Sequence, residues 1–300
     1  MRTRVTLSVF LVSALLVTCL LSWPSSANAS GGGVGFQIKV RGGLSYLSPR
    51  DVNAGCGGFF TYYRILVEEM GGTASGDYHP LHLGSDFGAD FILQLSPNIG
   101  IGIGAGYLGS SKTTVMTAAL EAEEVTLTGT PKLSAMPVRL ALFFTFPLGK
   151  KLSVTADAGA AYYAALKFEA ELRGESAGGW FEQSISASRS SLSGNLGFQG
   201  SLGFEYTVAH NLGIFIEGMA RYARFKNFDV ATTTNQESGS ALETDEGRIY
   251  LANYDITQGT FSMFEVSADD PIPYPPELTY SEPKFDLSGF SLQAGIRIRF

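Results

Sequence analysis

Eight stretches of this chain alternate apolar and polar residues with a period of two, and no other pattern in it restricts the fold as much. The final eleven residues show the pattern most cleanly. Phe290, Leu292, Ala294, Ile296, Ile298 and Phe300 share one face, and Ser291, Gln293, Gly295, Arg297 and Arg299 share the other. Successive side chains of a strand point to opposite sides of the sheet, so this segment suits a wall between lipid and a polar interior.

The other seven segments repeat the pattern. Phe36, Ile38, Val40, Leu44 and Tyr46 oppose Gln37, Lys39, Arg41 and Ser45, and Phe87, Ala89, Phe91, Leu93 and Leu95 oppose Asp86, Gly88, Asp90 and Gln94. Ile99, Ile101, Ile103, Ala105 and Tyr107 alternate with Gly100, Gly102, Gly104 and Gly106, and Val138, Leu140, Leu142, Phe144 and Phe146 with Arg139, Ala141, Phe143 and Thr145. A fifth segment, Leu152 to Phe168, sets Val154, Ala156, Tyr162 and Leu166 against Ser153, Thr155, Asp157 and Gly159. The sixth sets Leu196, Phe198, Leu202, Phe204 and Tyr206 against Gln199, Ser201, Gly203 and Glu205, and the seventh sets Leu212, Ile214, Ile216 and Tyr222 against Phe215, Glu217 and Arg221. Each offers at least about nine residues, enough to cross a thin membrane when tilted.

Short connections (Ser96-Pro97-Asn98, Pro147 to Lys151, Ala209-His210-Asn211) alternate strictly with long ones, about 48–82, 109–134, 169–193 and 227–285. The expected fold is therefore all-β: an eight-stranded antiparallel transmembrane β-barrel, an up-and-down meander with short periplasmic turns and long extracellular loops. Alternation alone does not say which face points inward, because a soluble lipocalin-like barrel shares the period. Long strands, asymmetric connections and a polar face rich in glycine and charge favour the membrane version. Beyond the N-terminus no apolar run is long enough to span a bilayer as a helix, which leaves a closed barrel as the spanning architecture.

The N-terminus reads as a removable export signal. Arg2 and Arg4 precede a mostly apolar Val5–Leu21, and Ala27-Asn28-Ala29 gives a small-x-small cleavage pattern. Residues 1–29 are thus expected to be a signal peptide and 30–300 the barrel domain. Losing two of the 21 basic residues leaves 19 against 28 acids, a net charge of −9 in place of −7, which argues against a nucleic-acid partner. Only Cys56 remains after cleavage, so an intramolecular disulfide is excluded.

The hairpin Ser85 to Leu108 (SDFGADFILQLSPNIGIGIGAGYL) shows best that the chain resembles the small eight-stranded barrels of Gram-negative-type bacteria, the OmpA/OmpX/OmpW-like group. The resemblance covers nearly all of residues 34–300 and rests on pattern, not on a motif. It implies a cell outer membrane location. The partners it implies are outer-membrane lipid, periplasmic chaperones and the barrel-assembly machinery, which reads a terminal aromatic residue such as Phe300. Members of the class include structural barrels, adhesins, small-solute channels and a few lipid-modifying enzymes, so fold does not settle function.

In that frame the lumen receives the bases Lys39, Arg41, Arg139, Arg221, Arg297 and Arg299 and the acids Asp86, Asp90, Asp157, Glu205 and Glu217. Buried charges persist when paired, so a salt-bridge network filling the lumen is expected; a narrow polar path for a small solute is the alternative. The glycine face of Gly100–Gly106 leaves either a gap or room for Phe143, Tyr163 and Phe215. In the loops, Phe59 to Met70 has helical spacing, Arg248–Tyr254 and Thr260–Val266 read as extra strands, and Pro271–Pro276 as a stiff connector. His82, Ser85 and Asp86 lie close together, but alternation turns Ser85 away from Asp86, and His79 and His82 have no third metal ligand nearby in sequence. The expectation is a non-enzymatic barrel without cofactor or metal, with a structural or surface-binding role through its loops and an unknown extracellular ligand. The alternatives are a narrow channel or solute carrier, and a lipid-modifying enzyme at the outer rim.

Overall fold

The computed structural model describes residues 35–300 apart from 121–122, 190–193, 258 and 274–276; the expected signal segment lies outside this range. Eight antiparallel strands close into a barrel: β1 (Gly35–Leu47), β2 (Leu83–Ser96), β3 (Ile99–Ser111), β4 (Pro137–Pro147), β5 (Leu152–Tyr163), β6 (Leu196–Ala209), β7 (Leu212–Tyr222) and β8 (Gly289–Arg299). Each pairs with the next, and β8 returns to β1 with Lys39 opposite Arg297 and Tyr46 opposite Phe290. Closure leaves no free strand edge in this part, so every wall amide can be satisfied without water.

The outward residues of the wall are apolar and exposed, among them Val40, Leu44, Phe91, Ile103, Leu140, Leu202, Ile216 and Leu292. Tyr46, Tyr107, Tyr206 and Tyr222 stand toward strand ends, where amphipathic rings suit a water–lipid boundary. The inward residues are charged, polar, small or aromatic, with Ile92 and Met219 as aliphatic exceptions. The short connections gather at one end of the barrel, the turn end, and the long ones at the other, the loop end.

The long connections are not irregular. They form a second β-layer running in the order Thr73–Ser75, Thr114–Leu120, Glu123–Ala135, Lys167–Ser176, Gly179–Ser188, Val230–Glu237 and Glu243–Ile256, with Gly259–Ser267 and Leu278–Ser281 on the two sides of the last. This layer is continuous with the barrel, since Leu108–Ser111 of β3 pairs with Lys132–Ala135. It does not close on itself. A helix, α1 (Arg50–Glu69), bridges the opening, packing on Gly259–Ser267 at one side and on Thr73–Ser75 and Thr114–Leu120 at the other.

The helix starts nine residues before the expected Phe59. Gly55, Gly57 and Gly58 lower helix propensity by roughly 1 kcal/mol each relative to alanine, which hid its first half. Packing requires two of these glycines: a Cβ on Gly58 would lie 1.7 Å from the Ser262 carbonyl oxygen, and one on Gly55 would lie 2.5 Å from the Phe264 ring. Asp51 in the first turn complements the helix dipole.

The fifth strand is also shorter than its alternation implied. β5 ends at Tyr163, and a new strand begins at Lys167. Across this break the faces exchange: odd residues (Asp157, Ala161, Tyr163) point inward before it, and even residues (Phe168, Leu172) after it. The exchange marks a general inversion. Within the barrel most apolar residues point out, Ile92, Phe143, Phe215 and Met219 excepted, whereas above it Leu47, Leu81, Leu108, Leu133, Phe168, Phe225, Phe285 and Leu287 point in and form one apolar core with Val52 and Cys56 of α1. Arg248–Tyr254 and Thr260–Val266 fall within strands as expected, and Pro271–Pro276 lies partly outside the described residues.

Candidate functional site

The structure places all eleven lumen residues named above on the inward face and arranges them in three tiers. Nearest the loop end, Arg221 of β7 donates to Asp86 of β2 (2.8 Å) and to Ser291 (2.9 Å), and Ser291 also donates to Asp86 (2.9 Å). In the middle tier Asp90 accepts from Arg139 Nε and Nη2 (2.6 and 2.5 Å) and from Arg41. Arg139 reaches on to Asp157 (3.1 Å), Asp157 accepts from Lys39 (3.2 Å) and Ser201 (2.5 Å), and Lys39 donates to Glu217 (2.6 Å). At the turn end Glu205 is flanked by Arg297 (3.1 Å) and Arg299, and Arg297 also donates to Thr145.

The upper and middle tiers are electrically neutral, one base to one acid and three to three. The lowest carries two bases to one acid, and its Arg299 is the only one of the eleven that is not buried. Charges this deep persist only because partners replace their hydration. Aromatic rings complete the filling: Lys39 lies 4.9 Å from the Phe215 ring centre and 5.7 Å from that of Phe143.

Inward glycines supply the space. A Cβ on Gly104 would lie 1.9 Å from Asp90 Oδ1, on Gly102 2.8 Å from the Phe143 ring, on Gly295 2.6 Å from the Phe215 ring, and on Gly213 2.5 Å from Glu205 Oε1. The glycine face of β3 is therefore occupied by its neighbours' side chains. Ser201, Ser291 and Thr145 belong to the network although sequence reasoning does not single them out. Their positions on the polar face are visible in the alternation, but their role depends on register, which sequence alone does not give.

Above the upper tier the apolar core closes the loop end. Tyr163 packs against Phe225 with its ring tilted (4.9 Å between ring centres), and Phe168, Phe264, Phe228 and Phe285 pack as a cluster. Cys56 sits in this core, and burial pushes its thiol up to about 12, with an opposing contribution from its hydrogen bond with Tyr78. A path along the barrel axis thus meets side chains at every level, charged below and apolar above.

The residues considered for catalysis are dispersed. Asp86 is committed to Arg221 inside, while His82 precedes β2 and stacks on the outward-facing Tyr46 at 5.0 Å. Its Nδ1 lies 3.0 Å from the Leu47 carbonyl oxygen. Phe300, apolar and on the outer face, donates its backbone N–H to Phe36 O (2.8 Å) and so ends the β8–β1 ladder.

A closed eight-stranded meander with lipid-compatible walls and charges sealed inside admits one architectural description. The fold is that of a small outer-membrane β-barrel. No protein-family model matches the sequence, and no curated protein matches it. Among solved structures, a major outer membrane protein from Thermus thermophilus is similar over 89% of this chain and 100% of its own, with 12% identity and a TM-score of 0.35. The TodX deltaS2S3 mutant monoaromatic hydrocarbon channel is similar over 93% of each chain, with 8% identity and a TM-score of 0.21. Both likenesses are remote, and the description of the barrel rests on its own strand pairing.

Proposed function

We propose that the chain resides in a cell outer membrane as a non-conducting, non-enzymatic barrel whose role is structural or surface-binding, exerted through its folded loop-end layer. The observation that carries this reading is the double filling of the interior, paired charges topped by an apolar core, beneath an ordered β-layer far larger than closure of a barrel requires. All acids other than Asp86, Asp90, Asp157, Glu205 and Glu217 lie in the long connections of the barrel, so the exposed layer presents a strongly acidic surface. Loops displayed on a rigid scaffold are where recognition is commonly located. Biogenesis would pass through periplasmic chaperones and barrel assembly, with Phe300 as the residue read there.

Reconstitution into planar bilayers tests the proposal. A silent bilayer is expected, with binding of whole cells or isolated envelopes to a ligand array lost when the loop-end layer is proteolysed. Discrete single-channel steps in the unmodified protein would instead favour the narrow-channel reading.

A further inference from the structure

The outer wall of β5–β6–β7–β8 carries a concave groove of about 910 Å³ just below the loop end. The strand register explains it. Ala158, Gly200 and Ala220 stand in one cross-strand row on the outer face and end against Phe290. Phe198, Tyr222 and Phe290, all strongly exposed, rise around these small residues. Three small residues side by side on adjacent strands, walled by these rings, make the row a recess in the lipid-facing surface.

What lies directly above the recess gives its occupant a chemistry. Beyond the barrel the β7–β8 ladder is interrupted and then resumes in the same register as a separate short pairing, with Arg221 opposite Gly289, then Arg224 opposite Asp286 and Phe225 opposite Phe285. Lys226 and Lys284, both exposed, each follow directly on this last pair, one residue beyond it on the two strands. Along this outer face the residues run from the Ala220/Phe290 pair through Tyr222 to the Arg224/Asp286 pair and on to Lys226 and Lys284, apolar to amphipathic to cationic. At roughly 3.4 Å per residue and a strand tilt of about 40°, Lys226 stands about 10 Å above Tyr222, on the aqueous side of the apolar wall and within a lysine side chain's reach of the headgroup layer.

Like charges held close on neighbouring strands destabilise a sheet, and among the described residues nothing neutralises these two. Neither lysine ammonium has a partner among the described residues. The nearby acids are engaged: Asp286 with Arg224 (2.6 Å), Asp51 with the Lys284 backbone N–H (2.8 Å), and Glu282 faces the Asn227 side-chain amide, whose nitrogen can donate to it. Arg224 also covers the Tyr222 ring at 5.2 Å, so a cation is fixed at the upper lip of the recess. A paired lysine gap above an apolar recess is the complement of one molecule type, an acyl chain that ends in an anionic phosphate group.

We infer that this face is a binding site for an anionic phospholipid of the leaflet at the loop end, with one acyl chain in the Ala158–Gly200–Ala220 recess and the phosphate between Lys226 and Lys284. The inference rests on the membrane placement proposed above. Native mass spectrometry of the whole protein released from nanodiscs tests it, with phosphatidylglycerol and phosphatidylcholine of identical acyl chains supplied in equal amounts. One retained phosphatidylglycerol and at least tenfold less phosphatidylcholine are expected. In Lys226→Gln/Lys284→Gln the preference should vanish, and in Gly200→Leu, which fills the recess and leaves the lysines, retention of both lipids should fall. Equal retention of the two lipids by the unmodified protein, a preference unchanged in the double variant, or a lipid-free dimer joined at this face would overturn the inference. Failure of the protein to enter nanodiscs, with recovery as a detergent-free soluble species, would instead remove the membrane placement itself.

Discussion

Asp90 is the group on which the middle tier turns. It accepts two hydrogen bonds from Arg139 and one from Arg41, and Arg41 has no other ion pair among the described residues. Asp90→Ala leaves three bases against two acids in a space sealed from solvent. Arg139 retains Asp157 at 3.1 Å, but Arg41 is left uncompensated. Removing one partner from a buried pair costs about 3–5 kcal/mol, whereas the same change in a solvated pair costs about 0–1 kcal/mol. The two cases differ by about two to three orders of magnitude in the unfolding equilibrium. Urea unfolding in detergent micelles, read by the migration shift between folded and unfolded barrels on gels, measures the difference. Asp90→Asn with Arg41→Met leaves two bases and two acids, and should recover at least half of the loss. An Asp90→Ala barrel within about 1 kcal/mol of the unmodified protein would refute the reasoning, because it would mean that water already screens the lumen charges.

Three further outcomes follow from particular contacts. Gly104→Ala sets a methyl group on Asp90 Oδ1 and should lower stability by about 1–3 kcal/mol in the same urea assay, with no change in proteolysis of the cap, the loop-end layer with α1. Gly58→Ala drives α1 off the Ser262 carbonyl, so limited proteolysis should cut the cap faster while the heat-dependent gel shift of the barrel persists. Cys56, buried and with its thiol raised to about 12, should resist maleimide at pH 8 in the folded protein, because only the thiolate reacts; labelling should become rapid in urea and measurably faster in Gly58→Ala.

The barrel was legible because membrane strands must alternate. All eight segments and the order of short and long connections can be read from residue types alone, and so can the inward set from Lys39 to Arg299. What was not legible depended on tertiary contact. The strands Glu123–Ala135 and Gly179–Ser188 are rich in threonine, serine and glutamate, and their apolar faces become meaningful only against α1 and the core above the rim. At Ala164–Leu166 the alternation reads as continuous, because the change of face coincides with the change of surroundings from lipid to packed protein. A two-letter pattern cannot distinguish a greasy residue that points at lipid from one that points at Phe264. Which base meets which acid was equally hidden, since a shift of one residue in any ladder would exchange every partnership.

The helix α1 also conceals something. It covers the terminal strands of a layer that never closes, and the carbonyl row of Gly259–Ser267 lies directly beneath its glycines. A molecule in which that helix swings away would not simply unravel. It would offer unsatisfied strand borders to its neighbours, and stacking of many copies through those borders, with the barrels still intact, is the failure that Gly55 and Gly58 hold off.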